Sequence, residues 1–312
     1  MRISRLHILA IVCASLQVHL APAQVFDPMN YNATGDGKTD DTNAIRAALA
    51  AARDNNGGRV LFDSQYIFLT GCFNVTSNII LDVRGTILAS QNSSGYVRVQ
   101  PLPWYGGGQD AQMTGELDRQ SLVHSYYESN ITITGGGTID GQGEVWWNCS
   151  RYNFQGEPCN GASRPELIMF THTTDVKIYD ITLKNSPSWT LHLANCTDVH
   201  IYNTTVLAPS NSHNTDGFDI DCSVNVLLEN SYYSGGDDAI AVKSGIDYLG
   251  RTFGRTTENV MVRNMSIGTS HGLSIGSEMS GGVRNITFKD IFVNGSAAGP
   301  RIKSQRGRGG TC

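Results

Sequence analysis

The sequence predicts an all-β fold, a parallel solenoid of stacked turns, and three observations carry that prediction. An Asn or Asp followed by alternating β-branched residues, a polar turn and a second short strand recurs seven times, opening at Asn78, Asn130, Asp175, Asp198, Asn225, Asn259 and Asn285. Successive starts lie 52, 45, 23, 27, 34 and 26 residues apart; the short intervals fit one turn, the long ones two turns or one turn with an inserted loop. Charged residues make up only 16% of the 312-residue chain, which carries 34 glycines, a profile of many turns rather than of helical bundles or disorder. A single repeat cannot bury its own apolar face, so stacking is what stabilises it. A β-sandwich shows similar alternation, but not starts held in phase.

Taken in order, residues 1–23 read as a secretory signal peptide. Arg2 and Arg5 precede an apolar stretch that ends in Ala21-Pro22-Ala23. A retained membrane anchor is the competing reading, disfavoured because Ser15, Gln17 and His19 interrupt the apolar run. No later segment approaches ~18 uninterrupted apolar residues, so a soluble single domain over 24–312 is expected. Ten Asn-X-Ser/Thr sequons, at Asn32, Asn74, Asn92, Asn130, Asn148, Asn195, Asn203, Asn264, Asn285 and Asn294, favour an extracellular glycoprotein. Without Cys13, six cysteines remain, enough for three disulfides, with Cys149 and Cys159 the most plausible local pair. No CxxC or histidine spacing supports a zinc site, and no cofactor is expected. Loss of Arg2 and Arg5 leaves 21 basic against 28 acidic residues, which argues against nucleic acid or an anionic membrane as partner.

Residues 27–70 form an entry module. Asp41-Thr42 starts a helix with Ile45, Leu49 and Ala52 on one face, and Gly57-Gly58 ends it. Strands are expected at Arg59–Phe62 and Tyr66–Leu69, and the helix is suited to cap the stack. Two inserts, 100–124 and 144–166, are polar and aromatic with poor strand periodicity, as loops that shape a cleft are. Their Trp104, Tyr105, Trp146 and Trp147 suit either stacking on sugars or a local core beneath the loops.

The stretch Asn214–Gly245 holds five aspartates and one basic residue, Lys243. Carboxylates at that density repel one another, so a purely structural role is costly. In each late repeat a second strand follows the first, at 188–196, 214–222, 236–244, 270–277 and 299–304. Equivalent strands of neighbouring turns lie ~4.8 Å apart, which makes Asp216, Asp237, Asp238, His271, Arg301 and Lys303 neighbours on one surface. Alone, an Asp in an NTDG turn is an Asx-turn former, and His271, Arg301 and Lys303 are solvated residues. Their coincidence on consecutive turns points to a site.

The ordered motifs Asn214-Thr215-Asp216, Gly236-Asp237-Asp238, His271-Gly272 and Arg301-Ile302-Lys303 resemble those of the polygalacturonases, glycoside hydrolase family 28. The resemblance runs from about Tyr31 to the end of the chain. It implies a right-handed parallel β-helix of the pectin-lyase-like kind, acting as a monomer that hydrolyses α-1,4-galacturonosidic bonds of pectin with inversion. It further implies Asp237 as general acid, Asp216 and Asp238 as activators of the attacking water, and His271 as their proton partner. Arg301 and Lys303 would bind the galacturonate carboxylate beside the scissile bond, with Asn214 and Lys243 as further substrate contacts. Asp219 and Asp221 are left as substrate contacts or solvated residues. Entry-module residues 31–45 and 277–285 look closer to the plant and bacterial branches, where exo action is common. Two departures stand out: Ser270 replaces the glycine usual before the histidine, and the chain ends at Cys312 before a downstream tyrosine of the family, so a C-terminally short domain is expected. A calcium-dependent pectate lyase and a pectin-binding protein without turnover are the rival readings.

Overall fold

The computed structural model describes residues 24–105, 117–152, 156–159 and 163–308. The signal-peptide assignment, Cys312 and the middle of the first insert lie outside the described residues. The strands pair in parallel throughout two large sheets, and Arg98–Val99 with Asp118–Arg119 forms the antiparallel pair. The chain is a right-handed parallel β-helix.

The register explains the repeat. Ile131, Val176, Val199, Val226, Val260 and Ile286, each the residue next after a repeat's opening Asn or Asp, stand opposite one another on successive turns and point into the core. The opening residues themselves turn the chain. Asn78, Asn130, Asp175, Asp198, Asn225, Asn259 and Asn285 all have φ between 51 and 63°, the left-handed region that Asn and Asp tolerate better than other side chains do. Their side chains link one turn to the next: Asn130 Nδ2 donates to Asn78 Oδ1 at 2.9 Å, and Asn285 Nδ2 to Asn259 Oδ1 at 2.7 Å. A second left-handed corner, at Asp180, Asn203, Asn264 and Asp290, bends the 11-residue strands Thr174–Lys184, Thr197–Leu207, Thr257–Ile267 and Val283–Val293.

The other sheet positions the site. Its eight strands run in the order Phe73–Asn74, Val123–Tyr126, Ile168–Thr171, Leu191–Ala194, Phe218–Asp221, Asp238–Lys243, Gly272–Ile275 and Pro300–Ile302. The last five fall inside the second strands expected from the sequence. The entry helix spans Thr42–Asp54 and buries Ile45, Leu49 and Ala52; strands Gly58–Phe62 and Ile67–Thr70 follow it. The Asp41 carboxylate does not cap that helix. It accepts from the amides of Thr34 and Gly35 at 2.6 and 3.1 Å, pinning the preceding turn.

Two expectations need correction. The second insert is not all loop: Glu144–Arg151 is a helix, and the Cys149–Cys159 bond staples it to the chain that follows. A three-disulfide framework is not formed. Among the described residues Cys72, Cys196 and Cys222 are free thiols, buried as small apolar groups inside the turns. The Cys196 thiol donates to the Phe170 carbonyl, and burial pushes its pKa up to about 12. The insert aromatics take the core role: Trp104, Tyr105, Trp146 and Trp147 are all buried. Among the described residues no helix is long and apolar enough to cross a membrane.

Candidate active site

Parallel register turns the site sheet into rows. Residues facing out of the coil in one row are His124, Met169, His192, Asp219, Ala241, Ser274 and Arg301. Two positions further along each strand, Tyr126, Thr171, Ala194, Asp221 and Lys243 make a second row, and Lys303 extends it past the last strand, its amide bonding the Ile275 carbonyl. Asp216 and Asp237 stand just before the rows begin.

Asp237, Asp238 and His271 are brought together, one potential ligand atom from each lying within 4.8 Å of the others. His271 Nδ1 is 3.1 Å from Asp237 Oδ1, and the Asp238 amide donates to that same oxygen at 2.8 Å. The fully buried Tyr233 hydroxyl fixes the turn, donating to the carbonyls of Thr215 and Asp237 at 2.9 and 3.2 Å. Asp238 is buried, yet Arg301 Nη2 and Lys303 Nζ each reach one of its oxygens at 2.6 Å. Burial opposes its charge, but Lys303, Arg301 and Ser274 outweigh it and hold the carboxyl below the usual range. Asp216 has the opposite environment. Burial comes first, then the charges of Asp219 and Asp237, and these raise its proton affinity well above normal although Lys243 acts against them. Its Oδ1 has no hydrogen-bond partner among the described residues. The cluster therefore sets a carboxylate whose charge is favoured, Asp238, beside a carboxyl whose proton affinity is raised, Asp216. Asp237 is the most open of the three, its side chain 17% exposed. A cation held by Asp237, Asp238 and His271 would face the two positive groups already on Asp238, so this is a poor metal site.

The expected substrate contacts divide. Arg301 and Lys303 keep about a third of their side chains exposed while engaging Asp238 (35% and 32%). Asn214 takes a left-handed turn, φ 53°, and accepts from Arg164 Nη2 at 2.5 Å on the wall of a chamber described below. Lys243 is corrected: it is buried, because the loop carrying Glu278 lies over it. Its Nζ lies 3.4 Å from Asp219 Oδ1, 3.5 Å from Glu278 Oε2 and 3.9 Å from the Trp189 ring centre. It neutralises carboxylates beneath the cleft instead of meeting a ligand. Asp219 and Asp221 are likewise neither solvated nor exposed contacts. Both are fully buried, and Asp221 accepts from Trp104 Nε1 at 2.7 Å and from the Gly245 amide at 3.0 Å.

His192, Glu166 and Trp189 were not singled out from the sequence. Buried His192 places Nδ1 3.0 Å from Glu166 Oε2 and Nε2 3.5 Å from Asp221. Burial works against its charge, but these carboxylates raise its pKa to about 10, so it is an imidazolium. The signal lay in the strand Leu191–Ala194, where His192 aligns directly with Asp219. Beside this network a chamber of about 760 Å³ opens over the earlier turns, between the first insert and the site sheet.

The chain is of the class of parallel β-helix proteins that carry a carboxylate cluster in a cleft on one sheet. The comparisons make the class specific. Residues 84–312 match the glycosyl hydrolases family 28, and the chain belongs to that family. It is 37% identical over 289 residues to a probable polygalacturonase of Vitis vinifera, an alignment covering 90% of this chain and 57% of the relative. An endo-polygalacturonase of Pectobacterium carotovorum is 29% identical, with 86% and 66% covered. Among solved structures, an exopolygalacturonase from Thermotoga maritima superposes with a TM-score of 0.83 at 28% identity, covering 93% of this chain and 70% of that one. The chain spans between 51 and 58% of the length of the three plant relatives first matched.

Proposed function

We propose that this protein is an extracellular, monomeric hydrolase that cleaves the α-1,4-galacturonosidic bonds of pectin with inversion of configuration. The observation that carries this reading is the division of the cluster: Arg301 and Lys303 each bond an oxygen of Asp238, while buried Asp216 has no partner for Oδ1 among the described residues and a raised proton affinity. Inversion needs one acid and one base at the same moment. Crowding supplies both, because charges at this distance prevent all three carboxyls from ionising together. Asp237, open to the cleft and touching His271, is the general acid that protonates the leaving oxygen. Asp238, flanked by Arg301 and Lys303, takes the proton from the attacking water, which Asp216 on the neighbouring turn helps to position. The exposed flanks of Arg301 and Lys303 meet the galacturonate carboxylate, and the names of the relatives support that substrate class.

The test is Asp237→Asn assayed on polygalacturonate. Turnover should fall by about 10²–10⁴-fold, the usual worth of a positioned proton donor, with the circular dichroism spectrum and Tm retained. Proton NMR of the wild-type product should show the inverted anomer first. Retained configuration, an unsaturated product absorbing in the ultraviolet, or substantial activity in Asp237→Asn would each overturn the mechanism.

A further inference from the structure

The two outward rows of the site sheet end differently. At the late end they carry Arg301 and Lys303. Toward the early end, six strand steps or ~29 Å away, the same two row positions carry His124 and Tyr126, with Asn74 beyond His124 on the first strand. Burial lowers the His124 pKa to about 4, so this ring is uncharged at neutral pH. A pair of cations has become a pair of neutral rings.

The corner after these strands adds a second observation. Tyr127, His172, Asn195 and Cys222 occupy one position on successive turns, each amide bonding the last residue of the next strand. All are left-handed, and Tyr127 (φ 57°) and His172 (φ 52°) are bulky residues for that conformation. Asn and Asp fill such corners elsewhere in the coil at lower cost, and His tolerates them, so Tyr127 is the residue that stands here against the backbone preference. The Tyr127 and His172 rings stack face to face at 4.2 Å, and Tyr126 meets Tyr127 edge-on at 4.5 Å. Tyr126 and Tyr127 remain 59% and 64% exposed at the mouth of the chamber. Two exposed, mutually fixed aromatics at a cleft mouth mark a binding surface.

Charge decides what binds there. Among the described residues lining the chamber, the carboxylates Asp118, Glu128 and Glu166 balance the cations Arg119, Arg164 and His192. Among the described residues the chamber has no net positive charge with which to attract a carboxylate.

We propose that the Tyr126–Tyr127–His172 platform is a distal subsite for an uncharged, methyl-esterified sugar unit, four strand steps (~19 Å) across the sheet from the strand that carries Asp238 and further offset along it, since Tyr126 is in register with Lys243. The sugar ring stacks on the tyrosine faces, and the ester removes the negative charge that the chamber does not compensate. This rests on the pectin reading, and it divides one chain-like substrate into an acid unit at Arg301 and Lys303 and an esterified unit at the platform.

The experiment is titration calorimetry on the Asp237→Asn protein with a hexagalacturonide, unesterified and half methyl-esterified, beside turnover of the two matching polymers by wild type. The half-esterified hexamer should bind at least fivefold more tightly. Tyr127→Ala should bring that ratio close to one, and Tyr126→Lys, at an exposed position that tolerates the change, should reverse it. A ratio of one or below in the Asp237→Asn protein, or a ratio that neither variant moves, overturns the subsite. If wild type turns over neither polymer while the ratio persists, the hydrolase reading falls and the subsite stands. Turnover without the ratio leaves the hydrolase standing and removes the subsite.

Discussion

The late and early ends of the cleft are built from the same two rows and differ in how charge is handled. At the late end a buried carboxylate, Asp238, is matched by two half-exposed cations, so a full charge is held where substrate can reach it. Between the ends, charges lie paired beneath the surface: Lys243, on the strand of Asp238, lies between Asp219 and Glu278, and His192 lies between Glu166 and Asp221. What the early end presents to the cleft is aromatic. The coil thus repeats its backbone but not its electrostatics. An outward side chain reaches the cleft only where the loop above leaves it uncovered, which is why Lys303 is half-exposed and its row-mate Lys243 is buried.

The comparison can be broken most forcefully at Asp238. Asp238→Asn removes the ionised member of the cluster and leaves Arg301 and Lys303 without their partner; turnover on polygalacturonate should drop by about 10²–10⁴-fold. A loss no greater than that of Tyr126→Lys would show that the ends do not differ as described. A smaller effect sharpens the electrostatic claim. In Lys303→Met, Asp238 loses a cation that holds its proton affinity down, so its pKa rises. The acid limb of kcat/KM must then move to higher pH; an unmoved limb would mean that Asp238 is not the group titrating there. The smallest effect lies outside the chemistry, in the helical insert. Cys149→Ser with Cys159→Ser opens a ten-residue loop, which the chain-entropy account values at about 2–3 kcal/mol. Urea unfolding should show that loss, with the Asp238-dependent acid limb unchanged.

Much of the coil was legible because a solenoid writes its structure locally. Each Asn or Asp followed by Val or Ile gives both the corner and the core residue, and stacking does the rest. The cluster was legible for a related reason: aligning the late strands places Asp238, Arg301 and Lys303 together without knowledge of any loop. The same alignment also holds His192 opposite Asp219, yet it does not show that both are buried. Burial depends on what covers a row, and the cover comes from distant segments: Trp104 reaches Asp221 across 117 residues, and Glu278 closes over Lys243 from 35 residues away. The Glu144–Arg151 helix escaped notice because eight residues with two tryptophans and a cysteine lack the repeated apolar spacing that marks a helix. The surplus cysteines misled by number, since an even count says nothing of whether thiols face one another.

The asparagine corners also sort the sequons by competition for one atom. Asn130, Asn203, Asn264 and Asn285 each donate Nδ2 to the corner residue one turn back, and Asn195 Nδ2 lies 2.6 Å from the His172 ring. That nitrogen is the one an N-linked glycan would occupy. At these five sites a glycan would take one of the two amide hydrogens and set its bulk against the neighbouring turn, so sugar attachment competes with the ladder bond for the same group. Asn32, Asn74, Asn92, Asn148 and Asn294 lie on the surface outside that ladder, where a glycan and the closed coil can coexist. The corner that sets the fold's period thus also rations where the surface can be decorated.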